Sequence, residues 1–403
     1  MTNEVNIPAV LTLKGQADRR LRAGHLWIYS NEVDVAVSPL KGFQPGEQVQ
    51  VKSSSGKSMG MAYINPHSLI CARLFSRETK YRLDKSLLVH RLNMALSLRD
   101  GITDQPYYRL VYGDSDFLPG LVVDRFGDVL VVQIATVGME LVKEELIEAL
   151  IQVLKPRGIL LKNDSRIRKA EELPEYVEVV YGEVPRQVAA IENGVHFNIP
   201  VFDGQKTGWF YDHRASRARL ADYVKGKSVL DVFSYVGGWG IQAAAFGAES
   251  VTCIDASEFA LDQVEANAEL NNVREKVGTL QGAAFEAMKM LIDEGERFDV
   301  VIIDPPAFIP RRKDIKSGEQ AYRRANELAI RLINKGGILV SGSCSMHLGR
   351  DRLTDILRAS ARHLDRDIQI LEQGGQSFDH PVHPAIPETE YLKAVFARVL
   401  TAS

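Results

Sequence analysis

The chain has 403 residues, 45% hydrophobic and 25% charged, an ordinary composition with apolar material for roughly two or three domains. Its net charge of −3 argues against a wholly basic nucleic-acid binder, no apolar run approaches the ~18 residues of a membrane span, and the opening MTNEVNIPAV lacks the shape of a signal peptide. Three cysteines, Cys71, Cys253 and Cys344, suit neither a disulfide framework nor a zinc site, so a reducing cytoplasm is the expected compartment.

Residues 1–80 show no long helical periodicity. After a short helix at 18–23, the segments GHLWIYSNEV, GEQVQVKSSSGKSMGMAYIN and SLICARLFSR read as short strands separated by turns at Pro45-Gly46 and 54–56, a small barrel-like module. This module holds 10 Lys and Arg against 6 Asp and Glu. At its start Arg19, Arg20, Arg22, His25, Trp27 and Tyr29 mix basic and aromatic groups as an RNA-stacking surface does. The plainer alternative makes Trp27 and Tyr29 core residues of one strand and the arginines a solvated turn.

Residues 81–185 form a second unit of mixed α and β. Leu87, Leu88, Leu92 and Leu96 mark one side of a helix over 85–99, strands follow at 108–112, 120–124 and 129–134, and a further helix is predicted over 140–154. Lys155, Arg157, Lys162, Arg166, Arg168 and Lys169 make a basic stretch that can touch phosphate or simply be solvated. Next, ENGVHFNIPVFDGQKTGWFYDHR (192–214) alternates as a strand and then turns. Its position lets Gln205, Lys206, Thr207 and Tyr211 close over a ligand, or it is a structural hairpin.

From Ser228 the pattern changes. SVLDVFSYVGGWG reads as a buried strand, a glycine turn (Gly237, Gly238, Gly240) and a helix, and the beat repeats. Strands are predicted at 251–254 ending in Asp255, at 277–280, at 298–303 ending in Asp304-Pro305-Pro306, and at 337–341 ending in Ser343-Cys344-Ser345. Ser257 is placed to cap the helix over 257–271. Alternating strands and helices imply a doubly wound, mostly parallel sheet with its ligand at the carboxyl ends of the strands.

Such a glycine turn, with an acid ending the next strand, suits an adenosine cofactor. Gly238, Gly240 and Ala243 even satisfy the dinucleotide pattern, which admits a nicotinamide enzyme. A pyrophosphate site, however, leaves the Asp-Pro-Pro and the strand-five cysteine without a role. S-adenosylmethionine, with its cationic sulfonium, favours an acid on the first strand, here Asp231. DVFSYVGGWG, Asp255, DPPAF and SCS together look like the class I methyltransferase fold.

DSDFLPGLVVDRFG (114–127), DGQKTGWFYDHR, DVFSYVGGWG, DPPAF, SCS and HPVHPAIPETEYLK (380–393) stand in the order and spacing of a known family. They resemble the bacterial 23S ribosomal RNA cytosine-C5 methyltransferases, over essentially the whole chain. The resemblance implies a PUA-like RNA-binding domain at 1–80, a central α+β domain at 81–185, and a Rossmann-like methyltransferase domain with a seven-stranded sheet at 186–403. It implies S-adenosylmethionine held by Asp231, Phe233, Tyr235, Gly237, Asp255, Ala256, Asp304 and Pro305, with Gln205, Lys206, Thr207 and Tyr211 over it. RNA, as naked 23S rRNA or an early large-subunit particle, is expected against Arg19, Arg20, Trp27, Arg311, Arg312, Lys313 and Arg323; a homodimer is compatible with the pattern. Where the family commonly has an acid for the adenine amine, this chain has Ala283.

The residues agree with that chemistry. Cytosine C5 is a poor nucleophile, and a thiolate adding at C6 turns it into an enamine carbon able to attack the sulfonium methyl. Cys344 is the candidate nucleophile, Cys253 reads as core, and Asp304 is placed to hold the cytosine N3/N4 edge on a turn fixed by Pro305 and Pro306. Two alternatives stay open: an N-methyltransferase of an rRNA purine, since Asp-Pro-Pro-aromatic turns also bind amines, and a non-catalytic RNA-binding assembly factor, motivated by Ala283. Arg311, Arg312, Lys313, Lys316, Arg323 and Arg324, against Asp314 and Glu319, make a +4 patch after DPPAF, predicted as an RNA-gripping loop. His380 and His383 can be metal ligands but have no third partner in sequence, which favours a rigid loop.

Overall fold

The computed structural model describes residues 8–401; residues 1–7, the start of the segment read as lacking a signal peptide, lie outside the described residues. The chain divides into two compact units. One reaches to Val188 and takes in Pro200–Trp209 and Phe378–Thr389; the other comprises Ala189–Ile199, Phe210–Ser377 and the chain from Glu390 on.

The first unit contains two sheets. Strands β1 (Ala9–Thr12), β2 (Trp27–Tyr29), β3 (Gln48–Lys52), β4 (Ser58–Ile64) and β5 (Ile70–Ser76) pair in the order β1-β3-β4-β5-β2. A bridge between Leu13 and Val33 joins the chain just past the two edge strands, so the sheet curls into the expected barrel and leaves no long open edge. The alternation QVQVK in β3 turns Val49 and Val51 into a core shared with Leu11, Leu13, Ile28, Ile64 and Leu74. Strands β6 (Tyr107–Tyr112), β7 (Leu121–Phe126), β8 (Val129–Ile134), β9 (Gly158–Asn163) and β10 (Tyr176–Gly182) form the second sheet in reverse numerical order. The predicted helix over 140–154 is two pieces, Val137–Leu141 and Lys143–Leu154, and the helix Lys85–Asp100 starts where Asp84 accepts from the Leu87 amide at 2.9 Å.

Part of the basic stretch is neither solvated nor free to meet phosphate. Arg168 and Lys162 are almost fully buried and paired with Glu140 (2.9 Å) and Asp164 (2.5 Å). Sequence separation hides such pairing, because Glu140 lies a whole strand and helix away.

The second unit carries a hairpin, β11 (Gln187–Glu192) with β12 (Val195–Pro200), and then β13 (Ser228–Val232), β14 (Ser250–Asp255), β15 (Val277–Gln281), β16 (Phe298–Ile303), β17 (Ile333–Ser343), β18 (Arg366–Gly374) and β19 (Lys393–Thr401). These last seven pair in the order β15-β14-β13-β16-β17-β19-β18, the expected seven-stranded doubly wound sheet. β13 pairs parallel with both β14 and β16, so the topological switch lies between β13 and β16, and Asp231, Asp255, Asp304 and Cys344 lie at or near carboxyl ends beside it. β19 enters antiparallel between β17 and β18. Ser257 does cap the helix Glu258–Leu270, accepting from Ala260 at 3.3 Å, and Cys253 is fully buried, as expected.

The predicted RNA-gripping loop is corrected. Lys316, Arg323 and Arg324 lie on a helix, Ile315–Arg331, which buries Gly318, Tyr322, Ala325, Asn326, Ala329 and Ile330 at three- and four-residue intervals. These three charges are its outer face, while Arg311, Arg312 and Lys313 lie just before it. The helix Arg350–His363 and β18 were not anticipated either. Among the described residues no helix is long and apolar enough to cross a membrane.

Arg99 is fully buried and forms a two-point pair with Asp116 (2.6 and 2.8 Å). Arg99→Met is expected to lower stability by about 3–5 kcal/mol in urea titrations, because Asp116 is left as a buried lone charge. Lys85→Met, which breaks the exposed Lys85–Glu148 pair, is expected to change stability by less than about 1 kcal/mol.

Candidate active site

The turn after β13 is wound tightly. Phe233 and Tyr235 hold left-handed φ angles of 66° and 50°, with Gly237 at 87°. The Asp255 carboxylate receives the Tyr235 amide on one oxygen and the Ser257 amide on the other, both at 2.9 Å. Below the turn, Asp231 accepts the Gly240 amide at 2.8 Å. A Cβ at Gly240 would lie 2.5 Å from Cys253 Sγ, so only glycine fits. Asp231 is fully buried, its Oδ1 has no partner, and burial pushes its carboxyl up to about 7. Its carboxylate therefore serves the loop backbone.

Asp304, just past β16, is clamped from two sides. His213 Nε2 lies 3.1 Å from its Oδ1 and Trp239 Nε1 donates to its Oδ2 at 3.0 Å, with the His213 and Trp239 rings 5.1 Å apart. Burial favours the neutral acid, but the His213 charge and the bonds from His213 and Trp239 outweigh it, so the carboxyl lies below its ordinary value. Burial likewise works against His213 protonation, and Asp304 and Asp212 reverse it, raising the imidazole. Tyr391 in turn holds Asp212, donating to its Oδ2 at 2.6 Å.

Cys344 follows β17 and is partly exposed. Its Sγ approaches the Pro305 carbonyl at 3.9 Å, which sets the thiol against the Asp304-Pro305 turn. Around it, Ser343 and Ser345 hydroxyls bond the Tyr322 hydroxyl at 3.0 and 2.8 Å. Lys393 is buried and donates to the Ser345 and Tyr391 carbonyls at 2.6 and 2.8 Å. Burial pulls the ammonium down to about 8, while negative charge at Cys344 opposes the shift. Phe308 lies near Phe233, Phe285 and Tyr322, at ring distances of 6.3, 6.1 and 4.9 Å.

The other predicted residues scatter. Gln205, Lys206 and Thr207 belong to the first unit, where Thr207 is buried with its hydroxyl on Asp124 at 2.5 Å; Tyr211 is fully buried in the second, under the Arg214 guanidinium. Ala256 and Ala283 are exposed. Arg20 is tied to Glu32 at 2.8 Å, and Trp27 donates to Asp114 at 3.0 Å beneath Arg73, while Arg19 is exposed. Arg311 pairs with Asp314 and Arg323 with Glu327; Arg312 and Lys313 stand exposed. His380 is buried on Asp379, and no three His, Cys, Asp or Glu among the described residues form a metal cluster.

A family model for S-adenosylmethionine-dependent methyltransferases matches residues 157–395, and one for PUA-like domains matches residues 11–77. The ribosomal RNA large subunit methyltransferase I of Vibrio cholerae is 36% identical over 401 residues, covering 98% of this chain and 100% of its own. That of Aliivibrio fischeri is 36% identical over 400 residues, covering 97% and 99%. This chain belongs to the ribosomal RNA large subunit methyltransferase I family. A solved Streptococcus mutans structure, of a candidate S-adenosylmethionine-dependent methyltransferase, matches its fold with a TM-score of 0.83 at 21% identity, over 97% of this chain and all of that one.

Its cofactor is S-adenosylmethionine. The site admits that group: Asp231 Oδ1 is an orphaned buried acceptor beneath the turn, and Gly237 and Gly240 let the turn pack against Ile241 and Cys253, which would meet their Cβ atoms at 2.7 and 2.5 Å. His213, Trp239 and Lys393 were not anticipated as site residues, although each lies inside one of the motifs DGQKTGWFYDHR, DVFSYVGGWG and HPVHPAIPETEYLK. A histidine nine positions past Gly204 and a lysine ending EYLK carry no periodic signal; only tertiary contact reveals them.

A Cβ on Gly342 would lie 2.8 Å from Asp304 Oδ1. Gly342→Ala is expected to reduce methyl transfer by about a hundredfold through displacement of that carboxylate, with cofactor affinity retained in calorimetry. For the His213–Asp304 pair, the raised His213 value means its contribution is complete below 6.5 and lost as pH rises through the folded value; the depressed Asp304 value means its contribution is present above 3.8 and lost as pH falls through its folded value. A double-mutant cycle of His213→Gln and Asp304→Asn by urea unfolding is expected to give its largest coupling between those two pH values and a smaller one at pH 9.

Proposed function

We propose that the chain transfers a methyl group from S-adenosylmethionine to C5 of a cytosine in 23S ribosomal RNA, in the cytoplasm where that RNA resides. The ribosomal RNA substrate is supported by the names of the full-length relatives and by the PUA-like match. The cytosine-C5 reading is carried by one observation: the partly exposed Cys344 thiol stands 3.9 Å from the Pro305 carbonyl, beside the clamped Asp304. An N-methylating site needs the carboxylate and no nucleophile.

In this mechanism the Cys344 thiolate forms a C–S bond to cytosine C6. Asp304 holds the N3/N4 edge: it accepts from the N4 amine and passes the proton it shares with His213 to N3, which neutralises the negative charge that attack at C6 moves onto the ring. The Lys393 ammonium favours the thiolate over the thiol. S-adenosylmethionine supplies the methyl cation equivalent that C5 takes up. A solvent water takes the C5 proton as the thiolate is eliminated and N3 returns its proton to Asp304, which restores the aromatic base and the free enzyme.

We assign the cofactor to the β13 and β14 ends, with Asp255 toward its ribose hydroxyls, Gly237, Phe233 and Tyr235 along the turn, and Asp231 acting from below. Tyr211, which shares a unit with this turn, is kept as a covering residue. With Ala283 at the adenine position, the Phe285 and Phe308 rings supply apolar walls in place of a carboxylate. Arg19, Arg312 and Lys313, exposed and cationic, are assigned to the RNA backbone. Arg20, Trp27, Arg311 and Arg323 shape the same surfaces through their pairs. The PUA-like module at 1–80 and the α+β module at 81–185 serve RNA, and 186–403 serves transfer.

Methyl-labelled cofactor and ribosomal RNA from a strain lacking the gene are expected to yield labelled 5-methylcytidine, and Cys344→Ala none, a loss of more than about a thousandfold. Label in an N-methylated purine with Cys344→Ala still active would replace this reading with an amino methyltransferase. No cofactor affinity in calorimetry would make the chain a non-catalytic assembly factor.

A further inference from the structure

The first unit contains a cavity of about 510 Å³ that the transfer chemistry does not use. Its floor is apolar, made by Leu26, Leu74, Phe75 and Leu87, and its rim carries Arg77, Arg91, His90, Phe117 and His383. The two arginines bond backbone carbonyls rather than carboxylates: Arg77 donates to Leu21 (2.7 Å) and His25 (3.0 Å), and Arg91 to Phe75 (3.4 Å), while Arg91 Nε is buried with no partner. Glu78, the acid on the rim, is paired with Lys80 at 2.8 Å. An exposed and a half-buried positive charge thus border an apolar hollow whose lining acid is already paired.

Phe117 gives the cavity its specificity. It holds φ at 58°, a conformation that costs a bulky residue free energy, and still leaves 39% of its surface exposed. Burial therefore does not repay the strain. Its ring has the Arg91 guanidinium 5.0 Å from its centroid and the His383 ring edge-on at 5.8 Å. Burial lowers the His383 imidazole, so it is neutral at pH 7. An aromatic face beside a guanidinium and a second ring is how proteins stack a splayed nucleobase.

We propose that this cavity takes one unpaired nucleotide of the RNA substrate, its base stacked on Phe117 between Arg91 and His383 and its phosphate facing Arg77. The inference rests on the RNA-substrate reading above. A base paired within a duplex cannot enter, so the site selects a bulge, loop or single strand. Phe117 lies in DSDFLPGLVVDRFG, a motif to which the transfer reaction assigns no task.

The test is fluorescence anisotropy with labelled single-stranded 12-mers of uridine and of adenosine, and a 12-base-pair RNA duplex, on the full chain. Phe117→Asn suits the left-handed backbone and keeps the fold, and Arg91→Gln removes the charge. Both are expected to weaken single-strand binding by about tenfold, with duplex binding, S-adenosylhomocysteine affinity and the unfolding midpoint unchanged. If Arg91→Gln unfolds, Phe117→Asn alone decides. Single-strand binding within twofold of the parent for a folded Phe117→Asn overturns the proposal. So does saturation of the cavity by AMP or UMP without displacement of the 12-mers, which makes its ligand a free nucleotide. A parent chain that binds cofactor but none of the RNAs overturns the RNA-substrate reading and this inference with it.

Discussion

A carboxylate at a strand end is useful only if its two oxygens are fixed, and at Asp304 both are. His213 and Trp239 approach from separate segments, so the direction in which Asp304 faces depends on the chain around 213, on the turn after β13 and on the β16 terminus together. Gly342 is bare because the neighbouring strand end passes too close for a Cβ. The same turn of β16 brings Pro305 to the Cys344 thiol. Nucleophile and carboxylate thus meet where the ends of the paired strands β16 and β17 lie side by side.

The surroundings of Cys344 are polar but largely self-satisfied. Tyr322, from the middle of a helix, accepts Ser343 and shares a hydrogen bond with Ser345, so the residues flanking the thiol are pinned on both sides. Lys393 donates to backbone carbonyls, which orients its ammonium without neutralising it. A cation held by dipoles instead of a carboxylate keeps its field available to a neighbouring thiol. Replacement by an ion pair would consume it.

The sheet was legible because β13 to β16 are short apolar runs followed within a few residues by glycine, acid or Asp-Pro-Pro, and β17 runs into Ser343-Cys344-Ser345. Asp304 and Cys344 were legible for the same reason. The helix Ile315–Arg331 was not, since its arginines mask an apolar stripe of alanines, one tyrosine and one isoleucine. Arg168 reads as solvated charge until Glu140 is placed beside it. The clamp on Asp304 was equally hidden: His213 lies 91 residues from its partner, and nothing local distinguishes it from a surface histidine. What sequence conveys is periodicity and punctuation; what it withholds is pairing across long separations.

The turn after β13 shows what the site costs the fold. Asp231 is raised from 3.8 to about 7, so its ionised form is disfavoured in the folded chain, and this group subtracts stability as pH climbs from 3.8 toward neutrality. An asparagine could accept the Gly240 amide without that penalty. Phe233 and Tyr235 add two left-handed backbones that a looser turn would avoid. All three unfavourable features fall within five residues, at the end of β13 and the start of the turn that follows it. Strain and an unpaired buried acceptor concentrated at one turn, within a sheet otherwise well packed, are the pattern of a backbone shaped for a ligand instead of for stability.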